Sequence, residues 1–212
     1  MDKNEVLRYL GYKNQVLDDN MNSLINSCLD EINEISEEKY LYNSFNITGR
    51  EDGVSLNNGV IELKGNSIKK HLENSKTCVL MCVSIGSNVD KRIRYYEKTD
   101  MPRAVILDAW GTVAVEELCD KVCSIIEAEL EEGNLNSRFS PGYGDLTISI
   151  QKKFLKVLDA EKKIGLTATE SCILIPRKSV TAIAGVVSGK CISKKSCKNC
   201  SNSECAYRRE EK

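Results

Sequence analysis

No stretch of this 212-residue sequence is apolar for anything near the roughly 18 residues that a membrane-spanning helix needs. The opening MDKNEVLRYLGYKNQ carries no apolar core of a secretory signal, so the reading predicts a soluble, cytoplasmic protein without a membrane partner. Charge of one sign is missing too. The formal net charge is −1, and no global field points to nucleic acid or an anionic surface. The basic stretch near the C-terminus has no stacking aromatic except Tyr207, so no nucleic-acid partner is expected. Histidine occurs once, and His71 reads as lying on a charged, exposed face with no catalytic role. With 41% hydrophobic and 29% charged residues, the composition is that of a globular chain of one large or two small domains.

Ten cysteines without a secretion signal do not read as a disulfide scaffold. Cys28, Cys78, Cys82, Cys119, Cys123 and Cys172 lie inside apolar patterns, where they read as small buried hydrophobes. Cys191, Cys197, Cys200 and Cys205 crowd the end of the chain, spaced C-x5-C-x2-C-x4-C among Lys, Asn and Ser. Exposed free thiols oxidise in a cytosol, so this cluster predicts thiolate ligation of Zn2+ or an iron–sulfur cluster. Only one C-x-x-C pair is present, and the two-pair zinc-ribbon pattern is not met.

Residues 3–38 carry apolar residues at helical spacing, broken into two helices near Gly11. Residues 43–64 are short, β-prone and cut by Gly, Asn and Asp, which predicts strands and tight turns. Ser67 is placed to cap a short helix. TCVLMCVSIG reads as a buried central strand, and GSNVDKRIRYYEK as a glycine turn into a polar helix. Asp100 and Pro102 open a long helix, ended by Gly133, whose apolar stripe packs it against the sheet. LTISIQKKFLKVLDAEKKIG gives one or two helices, and TESCILIPRKSVTAIAGVVSG two strands. The sum is an α+β class: one domain over residues 1–190, with a cysteine-rich tail over 191–212.

Two places carry unusual chemistry. Inside the long helix, Gly111 marks either a close approach by a neighbouring backbone or ligand, or a helix crossing, while Glu116 and Glu117 taken alone are solvated face residues. RFSPGYGD (138–145) is richer. Its glycines let the backbone come close to a ligand, Arg138 offers a planar fork for carboxylate or phosphate, and Tyr143 brings a stacking face and a hydroxyl. It is neither a phosphate loop nor a dinucleotide fingerprint. A ligand-contacting loop and a rigid turn both fit these residues, and Asp145 reads as the cap of the next helix.

RFSPGYGD, followed by KKIG, TES and P-x-x-S-V at Pro176, Ser179 and Val180, resembles the activation domain of cobalamin-dependent methionine synthase. LDAWGTVAVEEL resembles that family's alanine-rich helix, with its glutamate at Glu116. The resemblance is strongest over residues 75–185. It implies a twisted, mainly antiparallel sheet flanked by helices. It also implies S-adenosylmethionine held by Glu116, Arg138, Ser140, Pro141, Gly142, Tyr143 and Gly144, with Arg138 on the methionyl carboxylate and no catalytic residue. The family's aromatic segment after P-x-x-S-V is replaced here by TAIAGVVSGK, and its N-terminal D-W ligand segment is absent. So is the corrinoid motif D-x-H-x-x-G.

The resemblance therefore implies a stand-alone reactivation component. It would act in trans on a corrinoid-binding methionine synthase or related methyltransferase, with cobalamin reached only through that partner. The reaction consumes an electron from a donor such as flavodoxin or ferredoxin, which favours a [4Fe-4S] cluster over Zn2+ on the four tail cysteines. The alternative is an iron–sulfur or zinc-binding redox or docking adaptor that does not bind S-adenosylmethionine.

Overall fold

A computed structural model of the chain describes residues 1–12 and 15–188. In chain order, α1 (Lys3–Tyr9) and α2 (Asp19–Ile35) precede β1 (Lys39–Arg50), β2 (Gly53–Leu56), β3 (Ile61–Lys64) and the short α3 (Asn66–His71). Next come β4 (Thr77–Ser84), α4 (Ser87–Thr99) and the 29-residue α5 (Met101–Glu129). β5 (Asn134–Leu135), a 3-10 turn at Ile148–Ile150, α6 (Gln151–Leu158), α7 (Ala160–Ile164), β6 (Thr167–Ala168), β7 (Leu174–Ile175) and β8 (Ser179–Val187) follow.

Six strands form one sheet in the order β3-β2-β1-β4-β8-β5, every neighbouring pair antiparallel, and β6 pairs with β7 apart from it. Helices cover both faces, which explains why β4 reads as an unbroken apolar run. Its alternate side chains point to opposite faces. Val79, Met81 and Val83 join the core under α2, α4 and α5, while Cys78, Leu80 and Cys82 join the core under α3, α6 and α7. β8 divides the same way, Ala182 and Ala184 to the first core and Ile183 to the second. The mainly antiparallel sheet with flanking helices is the expected α+β architecture. No helix among the described residues is long and apolar enough to cross a membrane.

α5 begins where Asp100 and Pro102 place it, the Asp100 carboxylate accepting the Arg103 N–H at 3.2 Å. Contrary to expectation it stops at Glu129, four residues before Gly133; the chain leaves the helix at Leu130, bends, and turns at Gly133 (φ +94) to pair Asn134 with Val187. Gly111 marks neither a helix crossing nor a neighbouring backbone. The aliphatic stem of Lys178 lies across it, so a Cβ there would stand 3.2–3.3 Å from the stem's carbons. The Lys178 ammonium then reaches Asp108 and Thr112, each at 2.9 Å.

Four further expectations are corrected. Ser67 does not cap α3; Gly65 precedes the helix at φ +134, and the first two N–H groups, of Asn66 and Ser67, donate to the Asp145 carboxylate at 2.7 and 2.9 Å. Asp145 accordingly caps α3 from 78 residues away and not the element after it, which Thr147 caps locally through the Ser149 N–H. Those two N–H bonds hold the Asp145 carboxyl below its usual pKa. His71 is half-buried, its ring 5.0 Å from that of Phe139. Of the six cysteines expected in the core, Cys28, Cys78, Cys82 and Cys119 are buried, whereas Cys123 and Cys172 are only partly so. Cys172 sits at φ +64 in the turn that its N–H closes onto the Thr169 carbonyl.

Candidate functional site

A cavity of about 620 Å3 opens where the second half of α5 passes the β5–β8 edge of the sheet. Three walls meet there. α5 contributes Glu116, Asp120, Cys123 and Glu127, one residue per turn on one face. The segment from Leu135 to Tyr143 supplies the second wall, and Cys172, Leu174 and Ser179–Thr181 the third. Gln151 also lines it, buried with Thr181, and amide and hydroxyl exchange hydrogen bonds of 2.7 and 3.1 Å.

Arg138 is the centre of this arrangement. Its side chain is only 13% exposed, and its two terminal nitrogens donate to different carboxylates: Nη2 to Glu116 at 2.7 Å and Nη1 to Asp120. Glu116 and Asp120 are four apart on the helix, so one guanidinium spans both. Burial, the largest influence, opposes the Arg138 charge. Cys119, the Asp120 hydrogen bond and the Glu116 charge outweigh it, and the net shift of its pKa is upward. Burial likewise pushes the Cys123 thiol up, with Arg138 working the other way. Glu127 is fastened by the Leu135 N–H at 3.0 Å, while Glu117 faces the opposite side, toward the chain's first residues.

The loop is braced from beneath. Phe139 forms an isolated bridge with Ile183, exchanging N–H and carbonyl at 2.9 and 2.8 Å, and its ring lies between His71 and Tyr143. Asn136 exchanges bonds with Gly185 and donates to the His71 carbonyl at 2.8 Å. Tyr143 is 58% exposed and stands at the rim. Gly144 turns at φ +53 and packs so closely on Ser67 that a Cβ would collide with it.

Of the seven residues expected to hold the ligand, Glu116, Arg138, Ser140, Pro141 and Tyr143 line this one cavity. The described lining does not include Gly142 and Gly144, whose positive φ instead shapes the turn that sets Asp145 on α3. Asp120, Gln151, Thr181 and Cys172 line the cavity and were not singled out from the sequence. The i+4 spacing from Glu116 is the signal that could have found Asp120; no local signal marks the others. Among the described residues no group of three or more His, Cys, Asp and Glu side chains is arranged to hold a metal, and the four tail cysteines lie outside the described residues.

His71 gives the support a pH dependence. Desolvation holds its pKa below the usual value. The unfolded chain therefore takes up a proton first as the pH falls through about 6.5, and stability drops below that point until the folded-state value is passed. Urea denaturation at pH 8 and pH 5 is expected to show a lower midpoint at pH 5, with the difference reduced in His71→Phe. An unchanged difference in that variant would contradict the assignment.

No family model matches the chain, and no curated protein matches it by sequence. Among solved structures it is similar to the crystal structure of the MetH reactivation domain bound to AdoHcy, with a TM-score of 0.59 and 12% identity. The fold is similar to that of the MetH reactivation domain. The match covers 81% of this chain and 66% of that one, so the chain spans just under two thirds of the MetH reactivation domain's length. At such low identity the likeness to the MetH domain is one of fold.

Proposed function

We propose that this chain binds S-adenosylmethionine in the cavity beside Arg138 and supports reductive remethylation of cob(II)alamin on a separate corrinoid protein. That partner would be a cobalamin-dependent methionine synthase or a related methyltransferase. The observation that carries the reading is the convergence of Glu116, Arg138, Ser140, Pro141 and Tyr143 on one cavity. Its volume of about 620 Å3 falls within the range of small-molecule sites. The AdoHcy bound in the structure of similar fold supports a ligand of the same class here.

In this reading Arg138 meets the methionyl carboxylate while held in place by Glu116 and Asp120. The loop at Ser140 and Pro141 lies along the adenosyl portion, and Tyr143 stands at the mouth, where an aromatic face favours a sulfonium. The protein binds and orients; no residue of the chain is assigned a catalytic step. The electron comes from a flavodoxin- or ferredoxin-like donor and reduces cob(II)alamin to cob(I)alamin. The corrinoid then takes the methyl group from the sulfonium, leaving S-adenosylhomocysteine.

The test is remethylation of a cob(II)alamin-loaded partner by this protein with S-adenosylmethionine and reductant, followed by the corrinoid spectrum. Conversion that depends on the protein supports the reading. A spectrum that stays at cob(II)alamin with every component present counts against it.

The C-x5-C-x2-C-x4-C spacing favours a second reading for one part of the chain. In it, residues 191–212 form a tail distinct from a domain over 1–190, and Cys191, Cys197, Cys200 and Cys205 hold a [4Fe-4S] cluster or Zn2+. Anaerobic purification with metal analysis separates the cases. A brown protein carrying iron and sulfide, with no response to S-adenosylmethionine, would favour the docking adaptor. A colourless protein with one zinc would make the tail a structural clip.

A further inference from the structure

We infer that the cavity selects its ligand by charge, taking the cationic sulfonium form of the nucleoside ahead of its neutral thioether product. This rests on the reading of the cavity as an S-adenosylmethionine site and concerns what that site distinguishes. Its described lining carries three carboxylates, Glu116, Asp120 and Glu127, against one guanidinium, Arg138, a net charge of two negative. That guanidinium is already paired with Glu116 and Asp120. The rest of the described lining is uncharged.

S-adenosylmethionine carries a carboxylate, an ammonium and a sulfonium, one net positive charge; S-adenosylhomocysteine lacks the sulfonium and is neutral. Only the first gains from an acidic cavity. Glu116 and Asp120 are 41% and 61% exposed, so water and salt weaken the field they make. With an effective dielectric of about 60 and separations of about 8 Å, two net charges still favour the cation roughly tenfold. This preference would let the site release its product after the methyl group leaves, since the same step removes the charge that the cavity attracts.

The experiment is calorimetric titration of the full chain with S-adenosylmethionine, S-adenosylhomocysteine and sinefungin, in which an amine-bearing carbon replaces the sulfonium. It is run at low salt and at high salt. The expected result is that both cations bind about tenfold more tightly than the thioether at low salt and that the gap narrows at high salt. Glu127→Gln keeps an oxygen for the Leu135 N–H while removing a charge, and is expected to reduce the gap to about threefold.

Equal affinities for all three ligands, or a gap indifferent to salt and to Glu127→Gln, would overturn the charge selection and leave the binding reading standing. Failure of all three to bind would overturn both.

Discussion

Replacing Arg138 with alanine is expected to weaken S-adenosylmethionine binding on the order of 100-fold while leaving the protein folded. Hydrogen bonds to charged groups contribute about 1.5–3 kcal/mol each, and the ligand's carboxylate would lose its guanidinium partner altogether. It would then face Glu116 and Asp120 with their shared cation gone. The added negative charge would still attract the sulfonium, which limits the loss. Stability should change by only about 1 kcal/mol, because both orphaned carboxylates can turn to solvent. Arg138→Lys keeps a charge but not the fork that spans two carboxylates, and should recover only part of the affinity. Calorimetry with a parallel thermal melt separates the effects. Unaltered affinity in a folded Arg138→Ala protein would remove Arg138 from the site.

Trp110→Ala is expected to cost about 3–5 kcal/mol, a large loss of stability for one substitution. Trp110 is the largest of the fully buried side chains; it lies on α5, and its indole N–H donates to the Ile25 carbonyl at 3.0 Å, tying α5 to α2. Truncation would leave a cavity in the first core and remove the bond that ties the indole to α2, the Ile25 carbonyl keeping its own helix bond. Trp110→Phe keeps most of the volume and loses the bond, so its cost should lie between wild type and alanine. Urea denaturation followed by circular dichroism reads both, since the protein has one tryptophan and fluorescence would vanish with it. A cost under about 1 kcal/mol for Trp110→Ala would mean that the α2–α5 contact is not what holds the first core together.

The fold was legible wherever burial left a periodic trace. β4 is buried on both faces and reads as a continuous apolar run, and α5 announces its start through Asp100 and Pro102. What failed to show in the sequence was set by distant partners. Asp145 looks like a local cap but serves a helix 78 residues earlier, and His71 looks exposed until Phe139 covers it. The site divides the same way. Arg138 and Tyr143 stood out because one short loop concentrates unusual chemistry, and Ser140, Pro141 and Glu116 only through resemblance. Gln151 and Thr181, 30 residues apart, pair inside the cavity with no local signal to join them. Gly142 and Gly144 were read as approaching a ligand, whereas their backbone angles shape the turn that delivers Asp145 to α3.

The central claim is that the cavity beside Arg138 binds S-adenosylmethionine, and direct calorimetric titration of the purified chain tests it most simply. The account predicts saturable binding at one site per chain, weakened on the order of 100-fold by Arg138→Ala. Absence of binding heat at millimolar ligand, across temperatures that exclude an accidental zero enthalpy, would contradict it.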